Sequence, residues 1–293
     1  MGASCAIARV AGVVVWLQRG EDVRLPLASF VQAMTRRSPA SLVARRAAGD
    51  RRHLPPATSC PVLAVLAAGL ALCLGAPAVA QVSGAVSAES DFRLRGYSVS
   101  GGRPVGSARL GVDDESGVYA DASATVVLTR NDGVRFLGYQ VDAGVAKRLG
   151  GDWVIDLGIA HNQFRAAYAG GYPLTYTEGY IGTTRGPVSA YLFVSPNYYR
   201  PGFWTAYGQV EATIMPARDW RLTAHVGSLH HLYTPETYTL RHETLYDWRV
   251  AAARAFGSLE LHLNVSGGGP GRQYYYGASH SRTAVVAGAS LSF

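Results

Sequence analysis

Apolar and polar residues alternate along much of the chain. Between Val118 and Leu128, the residues Val118, Ala120, Ala122, Ala124, Val126 and Leu128 oppose Tyr119, Asp121, Ser123 and Thr125. The same period of two sets Leu259, Leu261, Leu263 and Val265 against Glu260, His262 and Asn264. It also sets Trp153, Ile155, Leu157 and Ile159 against Asp156, Gly158, Ala160 and Asn162. Such alternation marks a strand with one apolar face. After Gln81 no segment of helical length sustains a 3.6-residue period. The pattern predicts strands near 82–94, 105–113, 117–129, 136–148, 153–163, 175–184, 188–198, 203–215, 220–230, 242–255, 258–265 and 283–293. The weakest of the twelve is 175–184, where neither face is clearly apolar.

The connections carry further information. Every second one is tight: 113–116, 150–152, 185–187, 216–219 and 256–257. Those between them are mostly longer, as at 164–174, 231–241 and 266–282. Short turns at one end and long loops at the other are the layout of bacterial outer-membrane barrels, with the short turns in the periplasm. A Greek-key sandwich has no reason to produce that alternation. The predicted fold class is therefore all-β: a transmembrane antiparallel up-and-down β-barrel of about twelve strands, with ten or eight as alternatives, occupying 81–293.

Three features direct the apolar face toward lipid. Aromatic residues gather where strands meet connections: Trp153 and Trp220 directly follow short turns, and Phe293 falls on the same rim. Tyr198, Tyr199, Phe203 and Trp204 are expected at the opposite rim, since amphipathic rings settle at the headgroup level of a bilayer. The opposing faces are too charged for a dry core. Alternation places Glu89, Asp91, Arg93, Arg109, Asp121, Asp142, Arg148, Asp156, Glu211, Arg221, His225, Asp247, Arg249, Glu260 and His262 inward, where they would line a wet pore. The chain also ends in an alternating strand closing on Phe293, and a membrane barrel needs its last strand to pair with its first. That ending resembles the signal that outer-membrane barrels present to their assembly machinery. This machinery, outer-membrane lipid and lipopolysaccharide are the expected partners.

Charge sharpens the domain organisation. The net charge of +7 belongs almost wholly to residues 1–80, where nine arginines face three acids, while the remainder has 18 basic and 17 acidic groups. Nucleic acid is therefore not an expected partner. From Val62 to Leu74 the chain is uncharged and apolar, preceded by Arg51, Arg52 and His53 and followed by Ala78, Val79 and Ala80. A basic region, a short apolar region and a small-x-small site form a secretory signal. About 13 apolar residues fall short of the roughly 20 that a spanning helix needs. The expected division is an unassigned leader over 1–55 (a start site placed too early, with Met34 one candidate for the true start), a signal peptide over 56–80, and a mature barrel from Gln81. Cys5, Cys60 and Cys73 all precede that cut, so the mature chain would hold no disulfide and no thiolate.

Chemistry beyond this is sparse. His280 and Ser281 beside the last strand could suggest a barrel-borne lipid hydrolase, but no orienting acid is identifiable. His225 and His231 share a face yet lie too far apart along a strand to bind one ion. The run 266–271 lacks the Lys and helix of a phosphate-binding loop. Tyr274, Tyr275 and Tyr276 fit a rim or loop. No catalytic residue, metal or cofactor is expected. A lipid-modifying enzyme and a non-conducting structural or adhesive barrel are the alternative functions.

The start of the predicted barrel adds a resemblance. Ser90, Phe92, Arg95, Gly96 and Ser98 match, position by position, a Ser-x-aromatic-x-x-Arg-Gly-x-Ser stretch, and Ser116, Gly117, Tyr119 and Ala120 follow as a second strand opening. These positions resemble the TorF family of proteobacterial porin-like proteins, although Asp121 stands where that family has Gly. The resemblance implies an outer-membrane barrel with a periplasmic N-terminus and a channel role for small hydrophilic solutes.

Overall fold

Each alternating run becomes a strand, and twelve strands close into one antiparallel barrel. The computed structural model describes residues 6–10, 13–17, 81–165, 173–233, 244–269 and 283–293. The barrel strands are β1 (Gln81–Glu89), β2 (Val105–Asp113), β3 (Val118–Thr129), β4 (Gly133–Arg148), β5 (Trp153–Arg165) and β6 (Pro173–Arg185). They continue as β7 (Val188–Ser195), β8 (Trp204–Ala217), β9 (Trp220–Tyr233), β10 (Leu245–Phe256), β11 (Leu259–Gly268) and β12 (Ala284–Ser292). Each pairs with its neighbours in sequence, and the ring closes where β12 meets β1 in the register Gly288↔Glu89 to Ser292↔Ala85.

Phe293 extends that seam. Its backbone N–H donates to Gly84 O at 2.9 Å, and Gly84 N–H donates back to Phe293 O at 2.9 Å. The Phe293 ring lies where a Cβ on residue 84 would stand, so only glycine leaves room for it. Closure removes both sheet edges, which a chain surrounded by hydrocarbon requires because no water is there to satisfy unpaired backbone groups.

At one end of the barrel the connections are short: 114–117, 149–152, 186–187, 218–219 and 257–258. In the first of these Asp114 accepts from the hydroxyl and the backbone N–H of Ser116, which holds its carboxyl below the ordinary range. The other end carries 90–104, 130–132, 166–172, 196–203, 234–244 and 269–283. The 130–132 connection is as tight as a turn, because β4 begins at Gly133 rather than near 136. Within β4 the register with β3 shifts by one residue, leaving Leu137 as an extra, buried residue. A bulge of this kind re-aims a side chain at the cost of one ladder position.

Cross-strand contacts show which face is inside. Arg221 of β9 reaches Glu260 of β11 at 2.5 Å, across β10. Arg249 of β10 reaches Glu211 of β8 at 2.9 Å, across β9. Side chains separated by a whole strand can meet this way only on the concave surface. The opposite parity, including Leu157, Ile159, Ile181, Val226, Val250 and Leu263, stands exposed outside. A continuous apolar exterior around a charged interior inverts the arrangement of a water-soluble fold.

Residues 1–74 and 75–293 form two separate compact units. In the first, where no fold was expected, Ala6–Val10 pairs antiparallel with Val13–Leu17. The predicted signal segment, its cut site and all three cysteines lie outside the described residues.

Candidate functional site: the lumen and its inward hairpin

The predicted strand 82–94 ends at Glu89, and the chain then turns into the barrel. Its alternation had continued unbroken, because Asp91 and Arg93 keep the polar parity of Glu89. Both belong to an inward hairpin and not to the wall. Asp91 is the hub of that hairpin. Its carboxylate accepts from Ser98 Oγ at 2.5 Å, Ser100 Oγ at 2.7 Å, Gly102 N at 3.2 Å and Arg93 Nη1 at 3.3 Å. Arg93 Nη2 also donates to Gly96 O at 2.7 Å, and Val99 N donates to Phe92 O at 2.8 Å. A buried carboxylate must be paired and hydrogen-bonded to offset desolvation, and these donors supply that.

Arg95 and Gly96 form the hairpin tip, with positive φ angles of 49° and 80°. Glycine adopts such angles freely, whereas arginine does so only under constraint from its surroundings. Arg95 Nη2 donates to both Oε1 and Oε2 of Glu178 on β6, each at 2.8 Å. Four rings surround the guanidinium carbon: Tyr207 at 4.1 Å, Phe193 at 5.3 Å, Tyr198 at 5.5 Å and Tyr176 at 5.7 Å. All lie within cation–π range.

The hairpin packs into the loop end of the lumen. Val99 packs with Val105, Val127, Leu137 and Phe164, and Phe92 lies 5.3 Å from the Phe164 ring. On the other side Tyr176, Tyr198, Tyr207, Leu229 and Leu245 form a second cluster against Leu94. Each of the five residues shared with the TorF pattern has a part here. Ser90 pairs with Ala287 of β12 through two hydrogen bonds, of 2.9 and 3.1 Å. Phe92 packs inward, Arg95 and Gly96 make the tip, and Ser98 holds Asp91.

Toward the turn end a second knot forms on Asp156, which is 1% exposed. Tyr119 donates to its Oδ1 at 2.7 Å and Tyr191 to its Oδ2 at 3.0 Å, while the Tyr119 and Tyr180 hydroxyls also bond to each other. The rings of Tyr180 and Tyr191 lie across Gly158 and Gly182 of neighbouring strands, where any Cβ would collide with them. A third network joins His225 Nε2 to Asp247 Oδ1 at 3.0 Å and Tyr207 to Asp247 at 3.1 Å. Arg109 pairs with Asp121 at 2.9 Å, and His262 approaches Glu89 at 3.4 Å. Asp142 and Arg148 occupy the same inward parity on β4, opposite Ala160 and Val154.

Sequence reasoning gave Arg95 a place only in the resemblance and assigned no lumen role to it, to Glu178 or to the tyrosines that bind carboxylates. It also misplaced three aromatics. Tyr198 and Phe203 are 3% exposed, and the Tyr199 ring lies tilted against Tyr198 with ring centroids 4.2 Å apart. The 196–203 connection folds inward through Tyr199, whose φ is 61°, so these rings face the lumen and not a lipid rim. Trp204, Trp153, Trp220 and Phe293 remain exposed at the barrel ends. Arg185 lies over Trp153 at 5.2 Å and Arg254 over Trp220 at 5.5 Å. His280, Ser281 and Tyr274 to Tyr276 lie outside the described residues. Among the described residues no group of three His, Cys, Asp or Glu is placed to hold a metal ion.

An apolar outer surface, a charged inner one and a hydrogen-bonded seam define the class: a transmembrane antiparallel β-barrel. The chain belongs to the family described as "Bacterial protein of unknown function (Gcw_chp)", which residues 75–267 match. No curated protein matches the sequence. Among solved structures, the KdgM porin is similar at 10% identity and a TM-score of 0.45, covering 72% of this chain and 99% of that one. The NanC porin is similar at 11% identity and 0.45, also with 72% and 99% coverage. The translocator domain of autotransporter NalP from Neisseria meningitidis is similar at 10% identity and 0.38, covering 80% and 94%.

Proposed function

We propose that this protein is an outer-membrane, porin-like channel for passive diffusion of small hydrophilic solutes, delivered by a signal peptide cleaved after Ala80. The observation that carries the reading is the two-sided wall: exposed aliphatic side chains outside, and ion pairs spanning whole strands inside. Five neighbouring strands, β11, β12, β1, β2 and β3, turn small polar residues inward, namely Asn264, Ser290, Ser87, Ser107 and Ser123, all partly accessible. They offer a hydrophilic strip past the hairpin and the Asp156 knot. The resemblance of the hairpin residues to the TorF pattern supports placing the chain with those porins.

The lumen favours cations. Glu178 and Arg95, with Asp113 and His231 on the same inward parity as Arg109 and His225, bring the inward ionisable set to ten carboxylates and six arginines, with three histidines. Fixed charges lining a narrow passage set its ion preference. Protein extracted from membranes and inserted into planar bilayers tests the channel reading, with a variant in which a short Gly-Ser bridge replaces residues 92–100. Small conductance steps are expected from the wild type and larger ones from the variant.

Silence from both folded proteins would leave the second reading, a non-conducting structural or adhesive barrel. The apolar clusters around Val99 and Tyr176, which narrow the loop end, favour that reading. The enzyme alternative would be supported by release of fatty acid from lipid by the wild type but not by His280→Ala or Ser281→Ala.

A further inference from the structure

We propose that the pocket around Arg95 is a binding site for the guanidinium or ammonium group of a solute, and that Arg95 fills it as a built-in substitute. How the solute arrives rests on the channel reading; the binding itself does not.

The site and its occupant come from different parts of the chain. Glu178, Tyr176, Phe193 and Tyr207 stand on strands β6, β7 and β8 of the wall, and Tyr198 stands on the connection after β7. Arg95 arrives on the hairpin, from 83 residues before Glu178. Withdrawal of the hairpin would therefore leave a carboxylate set among three rings of the wall and one of the connection after β7. The arrangement selects its ligand. Ring faces are negative and attract a flat or quaternary cation while repelling anions. One carboxylate offers too few oxygens for a divalent metal, which takes six or more ligands of that kind in a calcium site. A guanidinium fits because it can donate to the carboxylate along its edge and stack its plane on rings. Arg95 shows the fit: Nη2 serves both carboxylate oxygens, Nη1 is buried with no hydrogen-bond partner among the described residues, and the guanidinium carbon lies 4.1 to 5.7 Å from four ring centroids. The tip residue holds a φ of 49° to deliver the group, a backbone cost that the pocket's hold on a cation offsets.

Arg95→Gly tests this without straining the tip, since glycine accepts that φ. The probe is ethylguanidinium, with neutral ethylurea as control, titrated by calorimetry into detergent-solubilised full-length protein. Arg95→Gly is expected to bind ethylguanidinium about tenfold more tightly than the wild type, whose pocket is filled. Arg95→Gly with Glu178→Gln should lose that gain, and ethylurea should bind neither. Equal binding by wild type and Arg95→Gly, or binding indifferent to Glu178, overturns the proposal. If Arg95→Gly does not reach its heat-modifiable folded form unaided, its refolding yield decides. A yield raised by ethylguanidinium but not by ethylurea supports the pocket, and a yield that neither compound raises overturns it. Binding without conductance would sink the channel reading and leave the pocket standing. Conductance without binding would do the reverse.

Discussion

Asp156 shows what single residues contribute. It sits on the inner face of β5 at 1% exposure, and its two oxygens accept hydroxyls from Tyr119 and Tyr191. Removing a buried acceptor while its donors remain costs the desolvation of those donors. Asp156→Ala is therefore expected to destabilise the barrel by about 1–3 kcal/mol, with Asp156→Asn losing less because it keeps an acceptor. Urea unfolding in lipid vesicles measures both. An alanine variant as stable as wild type would remove the knot's structural role. The carboxylate was legible in the sequence as an inward residue, because Trp153, Ile155, Leu157 and Ile159 fix the parity of β5. Its tyrosine partners were not, since they come from β3 and β7, and hydrogen bonds between distant strands leave no local pattern. The Arg95–Glu178 pair was hidden for the same reason.

At the scale of the element, parity decides where a charge can go. Leu263 and Asn264 are adjacent on β11; Leu263 faces out at 51% exposure and Asn264 faces the lumen. Leu263→Arg should cost about 2–4 kcal/mol in vesicles, as expected for a cation near the midplane, while Asn264→Arg should cost little. Equal costs would contradict the assigned faces. The seam makes a second claim. Because Phe293 both pairs with Gly84 and lays its ring over it, Phe293→Ala and Gly84→Val should each lower the fraction reaching the heat-modifiable form on a gel. Normal yields from both would show that closure does not depend on this contact.

Strands with a clean apolar face were readable almost to the residue, as where 117–129 was expected and Val118–Thr129 forms. The segment 175–184 was ambiguous because its inner face mixes Tyr176 and Tyr180 with Glu178, so neither side is simply apolar. The end of β1 was misread for a different reason. Alternation records which side a residue takes, and a chain that leaves the wall for the lumen keeps its polar residues on the water side. The aromatics at 198–203 misled similarly, since a ring at a strand end can turn toward lipid or toward the lumen.

For the whole molecule, the interior excess of carboxylates predicts a cation preference. In the variant lacking 92–100, which removes Arg93 and Arg95 but keeps Asp91, the reversal potential across a potassium chloride gradient should carry the sign of cation selectivity. It should fade at about 1 M salt, where charges are screened within about 3 Å. Asp121→Asn combined with Glu260→Gln should weaken it, and an anion preference would contradict the account.

The central claim is that alternate side chains meet lipid while their neighbours meet the interior of a closed cylinder. No cysteine occurs after Cys73, so single cysteines placed one at a time through β11 from Leu259 to Val265 report each side separately in vesicles. Positions 259, 261, 263 and 265 should be quenched by a lipid-borne quencher when carrying a fluorophore, and positions 260, 262 and 264 should not. Uniform quenching along the strand, or none anywhere in it, would contradict the account.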